Sequence, residues 1–300
     1  MVLEGELVVF GANGYLGARV TIALSKAQRR VLAVVRPGSN VQQIVNLEGV
    51  QIFQIDPESW SNFLKNVKVN YVLCAQWQGV DKSLRNIQSI QQQNVIRILE
   101  IANTAKSIGA KLFMTFGSQA ETSPSQKIIP ETKIFLSSDE YGQAKIRLLN
   151  QLENLFESSK TKLVWGRVFS IYGPNNFSDT LLLNLFKSVQ SNMPIEIHKS
   201  EMSWNFLYEA DFSAAVMSII NSGDVNGIVN IASEVNYSIK DISSYWISLC
   251  KKQSYSISPI KSGSGYWPDI TKLKSLNWES KLSLECGLAK TLESYERTTL

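Results

Sequence analysis

An apolar run of four residues, Leu7–Phe10, leads straight into Gly11-Ala12-Asn13-Gly14-Tyr15-Leu16-Gly17, and an amphipathic stretch, Tyr15–Ala27, follows. A strand, a triple-glycine turn and a helix in immediate succession leave few folds open. Glycine permits a tight turn and close approach of backbone to a ligand, while the first helical turn offers free N–H groups and the positive end of a dipole. Together they cradle a pyrophosphate. The Gly-x-x-Gly-x-x-Gly spacing is one residue longer at its start than the Gly-x-Gly-x-x-Gly dinucleotide fingerprint. An ordinary strand-to-helix turn with packing glycines is the alternative; position and triple glycine favour the dinucleotide. Gly11, Asn13, Gly14, Tyr15, Leu16 and Gly17 are thus the first candidate cofactor contacts.

The same alternation continues. Val31–Val35, Ile52–Ile55, Tyr71–Cys74, Leu112–Thr115 and Leu163–Phe169 are strand-length apolar runs, and helix-like stretches such as Ile87–Ser107 lie between most of them. Strands separated by helices make βαβ units, hence a doubly wound parallel sheet of Rossmann type with ligands at its C-terminal edge. After about Ser170 the rhythm loosens. A helix over Ser178–Gln190, a strand at Ile228–Ile231 and helices starting near Ser238, Asp269 and Ser283 are expected. The reading is a cofactor domain, residues 1–165 plus about 205–232, sharing a cleft with a smaller α/β substrate lobe, 166–204 and 233–300. No Pro/Gly/Ser-rich linker separates them.

Composition narrows the class. The chain has 300 residues, is 44% hydrophobic and 19% charged, and carries a formal charge of +4. These values exclude a disordered or collagen-like chain. Lys and Arg are interleaved with Asp and Glu, which argues against a nucleic-acid or membrane-surface partner. No apolar stretch has bilayer-spanning length, and the start MVLEGELVVF lacks the pattern of a signal peptide. Three separated cysteines suggest neither a disulfide framework nor a zinc site, and the single histidine, His198, has no evident second metal ligand. A cytoplasmic protein without a metal is the expectation.

The end of the second strand reads the adenosine ribose. A carboxylate there accepts from the 2′-hydroxyl of NAD, whereas arginine pairs with the 2′-phosphate of NADP. Here Arg36-Pro37-Gly38-Ser39 follows Val35. Arg36 with Ser39 therefore points to NADP(H), although a solvated turn arginine is the plain alternative and NAD stays possible. Asp56, after the third strand, could accept from the adenine amino group.

Ser137-Ser138-Asp139-Glu140-Tyr141 opens a helix, with Ser137 and Glu140 spaced as a capping box. Tyr141 and Lys145 then share one face, four residues apart. A phenol ionises near pH 10 and becomes a useful acid-base at neutral pH only when something stabilises its anion; an ammonium one turn away does so. Ser118, after the strand Leu112–Thr115, could hydrogen-bond a substrate oxygen beside the tyrosine. Asn94, in the helix Ile87–Ser107, could hold a water feeding Lys145.

These segments resemble the extended short-chain dehydrogenase/reductases, the NAD-dependent epimerase/dehydratase family. The resemblance runs over nearly the whole chain, through GANGYLG at Gly11–Gly17, Asn94, Ser118, YGQAK at Tyr141–Lys145, RVFSIYGP at Arg167–Pro174 and NFLYEAD at Asn205–Asp211. It implies Tyr141 as acid-base, Lys145 as its pKa partner and ribose ligand, Ser118 as substrate donor and Asn94 as the fourth catalytic position. It also implies cofactor contacts from Ala75 and Val168, and a homodimer through the helices carrying Asn94 and Tyr141. Gln76–Val80, Gly117–Glu121 and the Pro174-Asn175-Asn176 loop look like the nucleotide-sugar branch, with Gln78, Ser118, Ser170, Asn176, Leu181 and Trp204 around the substrate. Dehydratases of the family place Asp-Glu after the catalytic hydroxyl residue; Gln119-Ala120 here can neither donate nor accept that proton. Many members have arginine where Trp204 stands, and the Tyr-Gly usual after GSQAE is Thr122-Ser123. The expected activity is NADPH-dependent reduction of the C4 ketone of a nucleoside-diphosphate 4-keto-6-deoxyhexose. The alternatives are an NAD-dependent 4-epimerase and, as a non-enzyme, an NADP-sensing regulator.

Overall fold

The computed structural model describes residues 3–125, 127–132, 137–174, 176, 180–191, 196–197, 201–250, 256–257 and 264–299. The first half alternates as expected: β1 (Leu7–Phe10), α1 (Tyr15–Lys26), β2 (Val31–Val35), β3 (Val50–Gln54), α2 (Trp60–Lys65), β4 (Tyr71–Cys74), α3 (Gln88–Ser107), β5 (Leu112–Ser118), α4 (Glu140–Phe156) and β6 (Lys162–Val168). With β9 (Gly227–Ile231) these strands form a seven-stranded sheet in the order β9-β6-β5-β4-β1-β2-β3. Every pairing in it is parallel.

Burial on both faces explains the unbroken apolar strands. In β1, Leu7 and Val9 join the core beneath α1 and α6 (Glu209–Ser222), while Val8 and Phe10 join the opposite core beneath α3 and α4. Chain order reverses at β1: β2 and β3 run to one side and β4 crosses to the other. The loops after β1 and β4 therefore diverge and open a crevice between them.

Besides two-residue strands and single turns, the second half also contributes β7 (Ser170–Tyr172), α5 (Leu181–Gln190), β8 (Ser203–Tyr208), β10 (Asn236–Ser238), α7 (Ile239–Leu249), α8 (Thr271–Ser275) and α9 (Leu284–Thr299). A three-stranded sheet, β7-β8-β10, pairs β7 with β8 in parallel and β8 with β10 antiparallel. Leu182, Phe186, Trp246, Leu288 and Tyr295 belong to its separate core. Ser238 caps α7 through a bond from Asp241 N to its Oγ at 3.0 Å, and Ser283 accepts from Cys286 N at 3.3 Å, as their positions suggest. The capping box expected from Ser137 and Glu140 is different. Asp139 caps α4, its Oδ1 accepting from Gly142 N at 2.7 Å, and Ser137 Oγ accepts from Asp139 N at 3.4 Å. His198 and Asn175 lie outside the described residues. Among the described residues no helix is long and apolar enough to cross a membrane, and no cluster of His, Cys, Asp and Glu could hold a metal ion.

Candidate active site

The loops after β1 and β4 enclose a groove of about 140 Å³ that takes in Gly11, Asn13, Gly14, Arg36, Ala75 and Gln78. The loop packs tightly against its helix because Gly17 has no side chain: a Cβ there would sit 2.1 Å from Gly11 O. Gly14 occupies the N-cap of α1 and offers no capping side chain, so the first-turn N–H groups stay open to an anion. Gln76 Nε2, on the same wall, is buried without a hydrogen-bond partner. Among the described residues no carboxylate lines the groove, and Arg97 joins Arg36 there. Arg97 stands one helical turn beyond Asn94 on α3, a relation readable from spacing alone. It pairs with Glu58 at 3.2 Å. An open helix N-terminus, a side-chain-free turn, an orphaned amide and two guanidinium groups fit a dinucleotide phosphate. Ser39 and the exposed Asp56 are not among the groove's lining residues.

Beside the groove a cavity of about 320 Å³ brings together Tyr15, Leu16, Ser118, Tyr141 and Val168, with Arg85 added from the segment before α3. Ser118 ends β5, and its Oγ accepts from Ala120 N at 3.2 Å. Tyr141 sits in the first turn of α4, which lies against the turn after Ser118 because residue 142 is glycine. A Cβ at Gly142 would come within 2.2 Å of Ala120 O. Burial pushes the Tyr141 phenol up from its ordinary value, while a hydrogen bond with Ser118 and the charge of Arg85 pull it down.

Lys145 is buried one turn along. Its Nζ donates to Phe116 O at 2.7 Å and sits 3.4 Å from the centre of the Trp77 ring. Trp77 also meets Tyr141 edge-on, with centroids 5.7 Å apart. Two residues of α3 hold this loop. Gln91 accepts from Trp77 Nε1 at 2.9 Å, and Asn94 bonds Gln78 twice, Nδ2 to O at 2.8 Å and N to Oδ1 at 3.0 Å. Asn94 thus clamps the loop directly through its side-chain amide.

Desolvation brings the Lys145 ammonium down to about 7, with the Glu121 charge opposing it. The Trp77 face returns part of the cost of burial. The unfolded lysine ionises near pH 10.4. Between pH 7 and that value the unfolded chain holds a proton that the folded one has released, so folding stability rises with pH across this window. Lys145→Met is accordingly expected to melt above the wild type at pH 6, with the gain shrinking by pH 9. Equal gains at both pH values in thermal melts would contradict a depressed lysine.

Glu121 was visible only as the last residue of GSQAE. In the structure it is 0% exposed and pairs with Arg167, Oε2 to Nε at 2.9 Å. It also accepts from Ser118 N at 2.6 Å and from Trp165 Nε1 at 3.1 Å. Arg167 spends its remaining donors on Pro130 O, Thr132 O and Asn230 Oδ1. This pair fixes the main chain at Ser118, and a capping box, absent at Ser137, forms here instead.

Ser170, Asn176, Leu181 and Trp204 come together around a second cavity of about 330 Å³, which shares Ile171, Asn176 and Thr180 with the Ser118–Tyr141 cavity. Trp204 Nε1 donates to Ser170 Oγ, and its ring packs edge-on against Tyr266. Gln78 lies apart from them, on the groove side.

Sheet order, switch point and glycine turn define a Rossmann-type fold, and a hydroxyl, a tyrosine and a lysine lie together beside its crevice. The chain belongs to the NAD dependent epimerase/dehydratase family, which it matches over residues 7–232. Relatives include a dTDP-D-glucose 4,6-dehydratase of Mus musculus, 24% identical across 97% of this chain and 89% of that protein. A UDP-glucuronate 4-epimerase of Thermodesulfobacterium geofontis is 24% identical across 96% and 95%. The fold is shared with the UDP-glucose 4-epimerase of Thermotoga maritima, solved with UDP-glucose (TM-score 0.85, 20% identity, 98% and 100% covered). It is shared too with the UDP-glucuronic acid 4-epimerase of Bacillus cereus, solved with NAD (TM-score 0.83, 20% identity, 97% of each chain).

Proposed function

We propose that the protein is an NADP(H)-dependent nucleotide-sugar 4-ketoreductase, acting on a nucleoside-diphosphate 4-keto-6-deoxyhexose. The observation that carries the reading is the meeting of Ser118, Tyr141 and Lys145 beside a groove holding two arginines and no carboxylate. Residues 1–165 plus about 205–232 would bind the dinucleotide, and 166–204 with 233–300 the sugar nucleotide. When bound, the reduced dinucleotide supplies a hydride to the sugar C4. Ser118 Oγ holds the carbonyl oxygen, and Tyr141 Oη delivers the proton as that oxygen becomes an alkoxide. The Lys145 ammonium favours the phenolate left behind. Ser170, Asn176, Leu181 and Trp204 enclose the nucleoside diphosphate. Gln119-Ala120 lacks the acid and base that water elimination needs, which separates this chain from its dehydratase relatives. A homodimer through α3 and α4 belongs to the same reading, supported by Ile96, exposed on α3.

NADPH and NADH offered with a panel of nucleoside-diphosphate 4-keto-6-deoxysugars test the activity: cofactor oxidation with none of them removes it. Arg36→Gln is expected to weaken NADPH binding by about 10–100-fold, the loss of one charge-assisted phosphate contact, and to leave NADH unaffected. Equal losses for both, read by nicotinamide fluorescence, would separate Arg36 from the 2′-phosphate. A second reading, an NAD-dependent 4-epimerase, has its support in the fold relatives solved with NAD. NAD found in stoichiometric amount on the purified protein would put that reading first.

A further inference from the structure

The turn between β4 and α3 carries an arginine that neither the motifs nor the proposed reaction uses. Asp81 Oδ1 accepts from Ser83 N at 3.1 Å and Leu84 N at 3.2 Å, and Arg85 N bonds Asp81 O at 2.9 Å, so the turn is held from within. From it the Arg85 side chain reaches the wall of the cavity that contains Ser118 and Tyr141. Its Cζ lies 4.4 Å from the centre of the Tyr141 ring, and its Nε donates to Asp139 Oδ2 at 2.7 Å. The other oxygen of Asp139 caps α4, the helix on which Tyr141 rides. One carboxylate thus fixes both the helix start and the cation above the ring.

We propose that Arg85 is a positioning residue for Tyr141: Asp139 holds its guanidinium over the phenol ring, where a permanent positive charge favours the ionised phenol. Among the described residues, Arg85, Glu121, Asp139 and Lys145 bring charge to Tyr141 from the elements around it. Glu121, from the turn after β5, has its charge met by Arg167 in the buried pair. Asp139 is shared between the helix N-terminus and Arg85 itself. Lys145 stands on α4, with Nζ 5.6 Å from the ring centre, and gives up its proton near neutrality in the buried site. Arginine does not titrate in proteins. Above neutral pH, Arg85 is therefore, among the described residues, the cation that remains beside the phenol, and its share grows as that of Lys145 fades.

The consequence for turnover rests on Tyr141 being the proton donor; the electrostatic claim does not. 3,5-Difluorotyrosine placed at position 141 brings the phenol's ionisation into the range where the protein is folded, and fluorine NMR reports that ring alone. In Arg85→Gln the midpoint of this titration is expected to rise by about one pH unit, as for a phenol losing an opposite charge within ~4–6 Å. Arg85→Lys, which keeps a charge but loses the fork that grips Asp139, is expected to restore part of the shift. An unmoved midpoint in Arg85→Gln overturns the proposal, and should that variant not fold, an unmoved midpoint in Arg85→Met does so. In turnover of a 4-ketosugar, kcat is expected to fall several-fold at unchanged KM, with the alkaline limb of its pH profile displaced upward by the same unit. A raised KM with an unmoved fluorine titration would make Arg85 a substrate contact instead, again overturning the proposal. If no ketosugar is turned over, the fluorine titration still decides, so the two readings fail separately.

Discussion

Tyr141→Phe is expected to lower kcat by about 10²–10⁴-fold, the range over which a positioned general acid acts, while dinucleotide binding stays unchanged. The substitution removes one oxygen. The ring keeps its edge contact with Trp77 and its place beneath Arg85, so the first turn of α4 has no reason to move. Ser118 would still hold a carbonyl oxygen, but the phenol proposed to protonate it as charge develops would be gone. The check is NADPH oxidation with a ketosugar that the wild type reduces, beside nucleotide binding followed by fluorescence. A variant keeping more than about a tenth of the wild-type kcat would take Tyr141 out of the proton transfer.

The second large effect concerns stability. Glu121→Ala is expected to destabilise the fold by about 3–5 kcal/mol, because Arg167, itself 0% exposed, is left as a buried charge without its partner. Ser118 N and Trp165 Nε1 lose their acceptor at the same time. Arg167→Met strands the carboxylate and should cost a similar amount. The double substitution Glu121→Leu with Arg167→Met is expected to recover much of the loss, since an apolar pair avoids desolvating either charge. Activity should not return with it, because the Ser118 main chain has lost the carboxylate that fixes it. Denaturant unfolding of the wild type, Glu121→Leu, Arg167→Met and the double variant gives the coupling; additive losses would show that the two groups do not act as a pair.

The first half was legible because its signals are local. A strand buried on both faces must be apolar throughout, and a turn pressed against its own helix must be glycine, so Leu7–Phe10 and Gly17 show in the sequence what they do in the fold. The second half was legible only in part. Ser203–Tyr208 alternates only through Ser203-Trp204-Asn205-Phe206, too short a signal to mark a strand; it becomes one by pairing with Ser170–Tyr172 on one side and Asn236–Ser238 on the other. Spacing pointed to Ser137 as the cap of α4, but capping depends on which side-chain oxygen reaches the N–H groups, and Asp139 does.

At the reaction centre the same division holds. Sequence alone determined the alternation of strands and helices, the glycine turn and the spacing of Tyr141 and Lys145, all patterns that lie within short stretches of the chain. Only the tertiary structure decided what surrounds them. Arg85 over the phenol, Trp77 over the ammonium, and Glu121 with Arg167 beneath Ser118 are contacts between segments distant in sequence. No periodicity encodes them, because they exist only once the sheet has brought its strand ends to one edge. There, burial and neighbouring charge set the proton affinities of Tyr141 and Lys145.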